Sequence, residues 1–568
     1  MTLPLGYAQD FAFETPDDSL ECQRWADSVI KTMTPDERLG QLFMVELSSK
    51  WTADNKSFEE VENYVKNYHV GGVIFFYGGP LRQAVLTNRL QSVSKIPLMV
   101  AIDGEWGLAM RLDSTVSFPK NLTLGAVENN ELIYEVGREI GRQCNRLGIN
   151  VDFMPSVDLY DNPLNTVIAN RSFGSNKVNV ALKASAIVSG MSDYKVLTTA
   201  KHFPGHGNTN VDSHEALPVI SDSREKIDTA ALYPFKYLIN NGVGGVMVGH
   251  LFIPAFDKGQ EKTPSSISKN IINELLIKKL NFNGLIFTDA LKMKGISANF
   301  PAGEAEVRAF EAGVDVFLMP ENCKTGFQAM KNALKTGRIS QNEIDRRCKK
   351  ILFAKKRMGL DKFSPVKTEN LYEDLNPVYA EKLIEKLYLN AVTLIKNDSS
   401  LLPLRGGEGV KIAAVSVAND TNSTVFEKTL QQFTNLTLFG ISKNAKKENF
   451  EVLTEKLKAF DVVVIGLHNL SQYPKNFGLN ENVINFIDKV SENQKVVLNI
   501  FNSPLTVNKL TNYKKISSIV ISYEDKPQAQ KISAYTVFGV LPFLGKLPVD
   551  VNAEFKEGKS LKTQYSKL

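Results

Sequence analysis

Short apolar runs recur through the first part of the chain, each separated from the next by enough sequence for a helix. They are Leu42–Val45, Val73–Phe76, Pro97–Ile102, Ile149–Met154, Val196–Ala200, Val243–Val248, Gly284–Thr288 and Val314–Met319. Near-continuous apolar strands of this kind suit a parallel sheet covered on both faces. The intervals, such as Asn130–Arg146 and Lys269–Leu280, mix apolar and charged residues at helical spacing. Eight strands alternating with helices predict a (β/α)8 TIM barrel, with an open doubly wound sheet as the rival. The residues at the strand ends decide between them: Asp103-Gly104-Glu105, Ser156-Val157-Asp158, Lys201-His202, Gly249-His250 and Asp289. A barrel gathers its site from the ends of many strands, whereas an open sheet concentrates it at one switch point. The barrel is favoured.

The same reading divides the chain. A leader and first helix occupy residues 1–34, the barrel 35–360, and a linker rich in Pro, Asp, Glu and Asn 361–378. A smaller α/β layered-sheet domain occupies 379–568, opening with a helical face of Ala380, Leu383, Ile384, Leu387 and Ala391. Its expected strands are Lys411–Val417, Leu436–Phe439, Asp461–Leu467, Lys495–Phe501 and Ile516–Tyr523. It has no Gly-rich phosphate-binding signature, and Arg405–Gly409 reads as a turn.

Composition narrows the class. Hydrophobic residues make up 43% and charged residues 23% of the 568, an ordinary globular balance. No apolar run approaches the roughly 18 residues of a membrane-spanning helix. A net charge of +5, from 67 basic and 62 acidic residues spread along the chain, gives no reason to expect a nucleic-acid partner. Cys22, Cys144, Cys323 and Cys348 have no metal-like spacing and require no disulfide framework. At the N-terminus, Gly6-Tyr7-Ala8 puts small residues where a signal peptidase acts, though no basic segment precedes them. Export to the periplasm or beyond is favoured over a cytoplasmic location, with a disordered leader as the other reading.

Candidate chemistry concentrates in one stretch. Of six histidines, four fall between His202 and His250, and three lie in Lys201–His214, KHFPGHGNTNVDSH. A metal site built on His202 and His206 is disfavoured, because Pro204, Gly205 and Gly207 break the helix that four-residue spacing needs. His206 and His250 are each readable as buried histidines bonded to backbone. Asp212 and His214, two apart in an extended loop, project the same way and can form an acid/base dyad in which the carboxylate orients the imidazole. Its counterpart is Asp289, at the end of a barrel strand, which is otherwise a helix N-cap. Asp103 carries the same ambiguity, and Arg111 and Arg171 read equally well as surface residues.

Together these segments resemble the β-N-acetylglucosaminidases (NagZ type) of glycoside hydrolase family 3, in their two-domain form. KHFPGHG followed by Asp212-Ser213-His214 is the most specific element. It is joined by the Asp103-Gly104-Glu105 element, the Asn170–Gly174 segment around Arg171, Gly249–Asp257, and Thr288–Met293. The resemblance spans roughly residues 35–360 and is weaker in the second domain, at Ala391–Asn397 and Leu402–Leu404. It implies a retaining hydrolase of terminal β-linked N-acetylglucosamine, working on peptidoglycan fragments or chitooligosaccharides through a covalent intermediate. By motif, Asp289 corresponds to the nucleophile, His214 to the acid/base and Asp212 to its orienting partner. Asp103, Arg111, Arg171, Lys201 and His202 correspond to sugar-binding residues. No metal, nucleotide or redox cofactor is called for, and the expected partner is a carbohydrate. Two departures stand out: Trp106 where the family usually has Gly, and Asn208 where it commonly has Asp. A phosphorylase of the same fold is the near alternative, since a histidine acid/base repels phosphate less than a carboxylate does. A β-glucosidase or β-xylosidase specificity is disfavoured by the histidine loop. A sugar-binding scaffold without catalysis is the alternative of a different class.

Overall fold

The computed structural model of the chain describes residues 16–213, 215–259, 261–405, 409–473 and 475–563. The apolar runs of the first part form eight parallel strands. They are β1 Phe43–Ser49, β2 Gly72–Gly78, β3 Met99–Ile102, β4 Val151–Asp152, β5 Leu197–Phe203, β6 Gly245–Val248, β7 Leu285–Thr288 and β8 Phe317–Leu318. Their hydrogen-bonded order is β7-β6-β5-β4-β3-β2-β1-β8. The ring closes between β7 and β8, where Phe287 bridges Val316 and Thr288 donates its N–H to the Val316 carbonyl at 3.1 Å. This is the expected barrel. Most of its strand residues are buried, and rings pack edge to face, with Phe153 and Phe287 5.2 Å apart between centroids. Sequence-local caps start the surrounding helices: Thr34 and Glu37 form a capping box, and Ser340 accepts the Glu343 N–H ahead of Gln341–Arg357.

The later sequence forms a second sheet from β9 Thr393–Asn397, β10 Ile412–Ala418, β11 Thr437–Ser442, β12 Val462–Leu467, β13 Lys495–Ile500 and β14 Ser518–Ile521. The order is β11-β10-β12-β13-β14-β9, parallel except for β9, which runs antiparallel to β14 at the edge. Strand β9 was not among the strands expected from the sequence.

The backbone packs as two units. The first holds Met1–Phe118, Ile133–Leu159 and Ala181–Ala380. The second holds Glu381–Leu568 together with two earlier segments, Pro119–Leu132 and Tyr160–Val180. Within this second unit Leu122, Tyr160 and Ala169 are buried with Phe477, Leu505 and Val549. There too, Glu524 accepts the Lys120 N–H at 2.8 Å and the Thr123 hydroxyl at 2.7 Å. In the first unit the Pro/Asp/Glu/Asn-rich stretch after residue 360 carries a short helix, Leu371–Leu375. Arg146 grips it, donating to Asp374 Oδ2 and to the carbonyls of Lys367 and Glu369 at 2.6–2.7 Å. The four cysteines are buried thiols. No helix among the described residues is long and apolar enough to cross a membrane.

Candidate active site

The C-terminal end of β3 runs into Asp103-Gly104-Glu105, and that of β5 carries Lys201 and His202. Lys201 is buried to 2% exposure and its Nζ bonds Asp103 Oδ1 at 2.8 Å and Glu105 Oε1 at 2.9 Å. Arg111 Nη2 bonds the other oxygen, Asp103 Oδ2, at 2.7 Å, with its guanidinium 4.6 Å from the Phe76 ring centroid. Burial alone would raise the Asp103 pKa, but the two cations hold its carboxyl well below the usual carboxylate range. A third carboxyl, Asp152 on β4, lies against Gly104: a Cβ there would stand 2.5 Å from Asp152 Oδ2, so only glycine lets its N–H reach Oδ1 at 2.8 Å. Burial, with Asp103 and Glu105 nearby, pushes Asp152 up to about 8. Asp152 thus favours its neutral form more than an ordinary carboxyl does, while Asp103 and Glu105 are the carboxyl groups bonded by Lys201 and Arg111.

Asp158 organises the histidine loop from beneath. It is fully buried and accepts the His202 N–H at 3.1 Å, the His206 N–H at 2.6 Å, the Ser156 hydroxyl at 3.1 Å and His202 Nδ1 at 2.7 Å. Burial opposes its charge, yet His202 and these donors bring the pKa down to about 2. An ionised acceptor at Nδ1 puts a proton on that nitrogen and turns Nε2 away from the carboxylate. The loop lies so close that a Cβ on Gly207 would meet the Leu159 carbonyl at 2.0 Å. His206 packs edge to face on His202, 5.9 Å between ring centroids.

Asp289 follows β7. Its N–H donates to the Val248 carbonyl at 2.9 Å and its Oδ1 accepts the Ala290 N–H at 2.8 Å. The helix N-cap reading fails, because the next helix is Lys294–Ser297 with Met293 in the cap position. His250, after β6, is fully buried: Nε2 lies 3.0 Å from the Ala290 carbonyl and Nδ1 2.7 Å from Ser266 Oγ. A carbonyl only accepts, so Nε2 carries the proton and Nδ1 receives the serine hydroxyl. His250 thus ties the residue after Asp289 to the segment beyond β6.

The loop carrying Asp212 turns there, the Asp212 carbonyl accepting the N–H groups of Glu215 and Ala216 at 2.9 and 3.0 Å. Gly295 anchors it by donating to the Ser213 carbonyl at 3.0 Å. The return limb is pinned where Val219 bridges Phe252. His214 lies outside the described residues.

Direct bonds thus join Asp103, Arg111 and Lys201, while His202 follows Lys201 on β5 and Asp212 reaches the Asp289 segment through Ser213 and Gly295. Arg171 belongs to the second unit, where it ends a short 3-10 turn and its carbonyl accepts Asn121 Nδ2 at 2.7 Å. Of the two departures, Trp106 is half-buried, and Asn208 donates to Asp222 Oδ1 at 2.8 Å. Glu105 and Asp158 were visible in the sequence only as strand-end positions without a role, and Asp152 not as a site residue at all. The signal was an acidic residue inside or just beyond an apolar strand, which persists only with partners.

The chain is similar to known proteins along most of its length. The model of the glycosyl hydrolase family 3 N-terminal domain matches residues 34–354. Beta-hexosaminidase A of Pseudoalteromonas piscicida is 30% identical over 474 residues, covering 76% of this chain and 78% of its own. Beta-hexosaminidase LpqI of Mycobacterium tuberculosis is 32% identical over 55% of this chain and 81% of its own. The solved family 3 beta-N-acetylglucosaminidase of Paenibacillus sp. str. FPU-7 superposes with a TM-score of 0.76 at 29% identity, covering 92% of this chain and 99% of its own.

Proposed function

The chain belongs to glycoside hydrolase family 3, and from that premise we propose that it is a retaining exo-β-N-acetylglucosaminidase. Its substrates are terminal β-linked N-acetylglucosamine residues of peptidoglycan fragments or chitooligosaccharides. The observation that carries the reading is Asp103, an ionised carboxylate bound on both oxygens by Lys201 and Arg111 at the barrel mouth that also holds Asp289. A carboxylate so fixed accepts sugar hydroxyls in one orientation.

In the first step an Asp289 carboxylate oxygen attacks the anomeric carbon as the glycosidic C–O bond breaks. His214, oriented by Asp212, gives its proton to the departing oxygen. In the second step the neutral imidazole takes a proton from water, whose oxygen attacks the same carbon and releases Asp289 with net retention. The hydrogen bond to Ala290 N–H and the His250 clamp on the Ala290 carbonyl hold Asp289 ready, which lowers the cost of reaching the oxocarbenium-like transition state.

The test is release of nitrophenol from the 4-nitrophenyl β-N-acetylglucosaminide and β-glucoside. The wild type cleaves the first, and Asp289→Ala lowers kcat by about 10⁴-fold or more. His214→Ala loses more on natural disaccharides than on the nitrophenyl glycoside, whose leaving group needs little protonation. Glucoside cleavage at comparable rate sinks the sugar assignment. Formation of the sugar 1-phosphate when phosphate is added would make the enzyme a phosphorylase.

A further inference from the structure

Strand β2 ends in an irregularity that the reaction above does not use. It pairs with β1 in register from Met44–Gly72 to Ser48–Phe76, and then Ser49 pairs with Gly78. Tyr77 is therefore the extra residue of a β-bulge. It adopts a left-handed φ of 41°, an unfavourable conformation for a bulky aromatic residue. Gly78, at φ 119°, lies so close to β1 that a Cβ would stand 2.4 Å from the Ser49 carbonyl carbon. On the other side Gly78 bridges Leu112, and its carbonyl accepts the Asp113 N–H at 2.8 Å. The bulge is pinned from both neighbours.

Its effect is to turn one aromatic ring outward. Phe75 is fully buried and Phe76 half-buried, whereas Tyr77 is 54% exposed. Bulges beside active sites re-aim a side chain in this way. The Tyr77 ring centroid lies 5.9 Å from the guanidinium carbon of Arg111, the residue that holds Asp103, and 5.5 Å from Lys50 Nζ. Lys50 is itself exposed, and its long stem yields to a stacking ring.

An exo-acting pocket closes around the terminal sugar and passes the rest of the substrate out across its rim. A flat, exposed ring at that rim matches the apolar C–H face of a pyranose, and the adjacent cations match its hydroxyls. We propose that Tyr77 is the platform for the sugar on the leaving-group side of the scissile bond. The β2 bulge is then an aglycone subsite for a β-linked N-acetylhexosamine. This rests on the glycosidase reading above.

The experiment compares kcat/KM on N,N′-diacetylchitobiose with kcat/KM on β-N-acetylglucosaminyl fluoride, whose leaving group has no ring to stack. In Tyr77→Ala the chitobiose-to-fluoride ratio falls roughly tenfold, while Tyr77→Phe and Tyr77→Trp keep it within about twofold of wild type. The thermal midpoint of each variant checks its folding. An unchanged ratio in Tyr77→Ala, or an equal fall in Tyr77→Phe, overturns the stacking platform. A wild type inactive on both substrates overturns the glycosidase reading itself, and this one with it.

Discussion

A methyl group on Gly295 would stand 2.9 Å from the Ser213 carbonyl and 3.3 Å from His250 Cβ. Neither neighbour can yield without moving something the reaction needs: Ser213 sits between Asp212 and His214, and His250 clamps the residue after Asp289. Gly295→Ala is therefore expected to lower kcat/KM on chitobiose by roughly 10–100-fold. The loss on the 4-nitrophenyl glycoside should be smaller, because displaced proton donation matters less there. Equal losses on both would show that the loop position does not govern protonation. This contact was not legible in the sequence, although both its partners were. The strand-end positions of Asp103, Lys201 and Asp289 follow from apolar runs alone. The pairing of Asp158 with His202 does not, since the two lie 44 positions apart. Asp289 was ambiguous for a similar reason. Only the bonds from Leu291 and Lys292 to the carbonyls of Leu318 and Met319 show the chain passing along β8 instead of turning into a helix.

At the scale of elements, near-continuous apolar runs located every barrel strand, because burial on both faces keeps most strand positions apolar. The edge strand β9 escaped. It follows directly on the helix Val378–Ala391 without a turn signal, and its partner β14 lies some 120 positions further on. Also invisible was the way the second sheet is tied at its strand ends. His468, just after β12, is fully buried between Glu427 at 3.0 Å and Asp525 at 2.9 Å, stacked on Phe501 with centroids 4.6 Å apart. Burial works against the imidazolium, but the two carboxylates prevail and raise its pKa to about 9. A raised pKa stabilises the fold fully below the ordinary histidine value of 6.5 and loses that contribution as pH rises through about 9. Glu427 and Asp525, whose pKa values are lowered, lose theirs at the acid end. His468→Gln should therefore cost about 3 kcal/mol in urea titrations at pH 6. The cost should shrink towards pH 10, and a pH-independent difference would show that the imidazole is not charged in the fold.

For the whole molecule, the boundary read from composition near residue 378 lies within three residues of the packing division at Ala380–Glu381, but the second unit also takes in two earlier segments. Pro119–Leu132 and Tyr160–Val180 belong with the second unit. No local pattern announces this, because the bonds from Lys120 and Thr123 to Glu524 span 404 and 401 positions. A chain ended at residue 378 is accordingly expected to leave Leu122, Tyr160 and Ala169 without the core they share with Phe477, Leu505 and Val549. Such a truncation should be poorly soluble or bind hydrophobic dyes strongly, whereas a monomeric, dye-silent product would show that these segments fold without their partners. The same interleaving sets a timetable at the ribosome. Thr123 emerges 401 residues before Glu524, a wait of roughly 20–80 s at ordinary elongation rates. The early segments wait through that interval without their partners, so the second unit can be completed only after residue 524 has emerged.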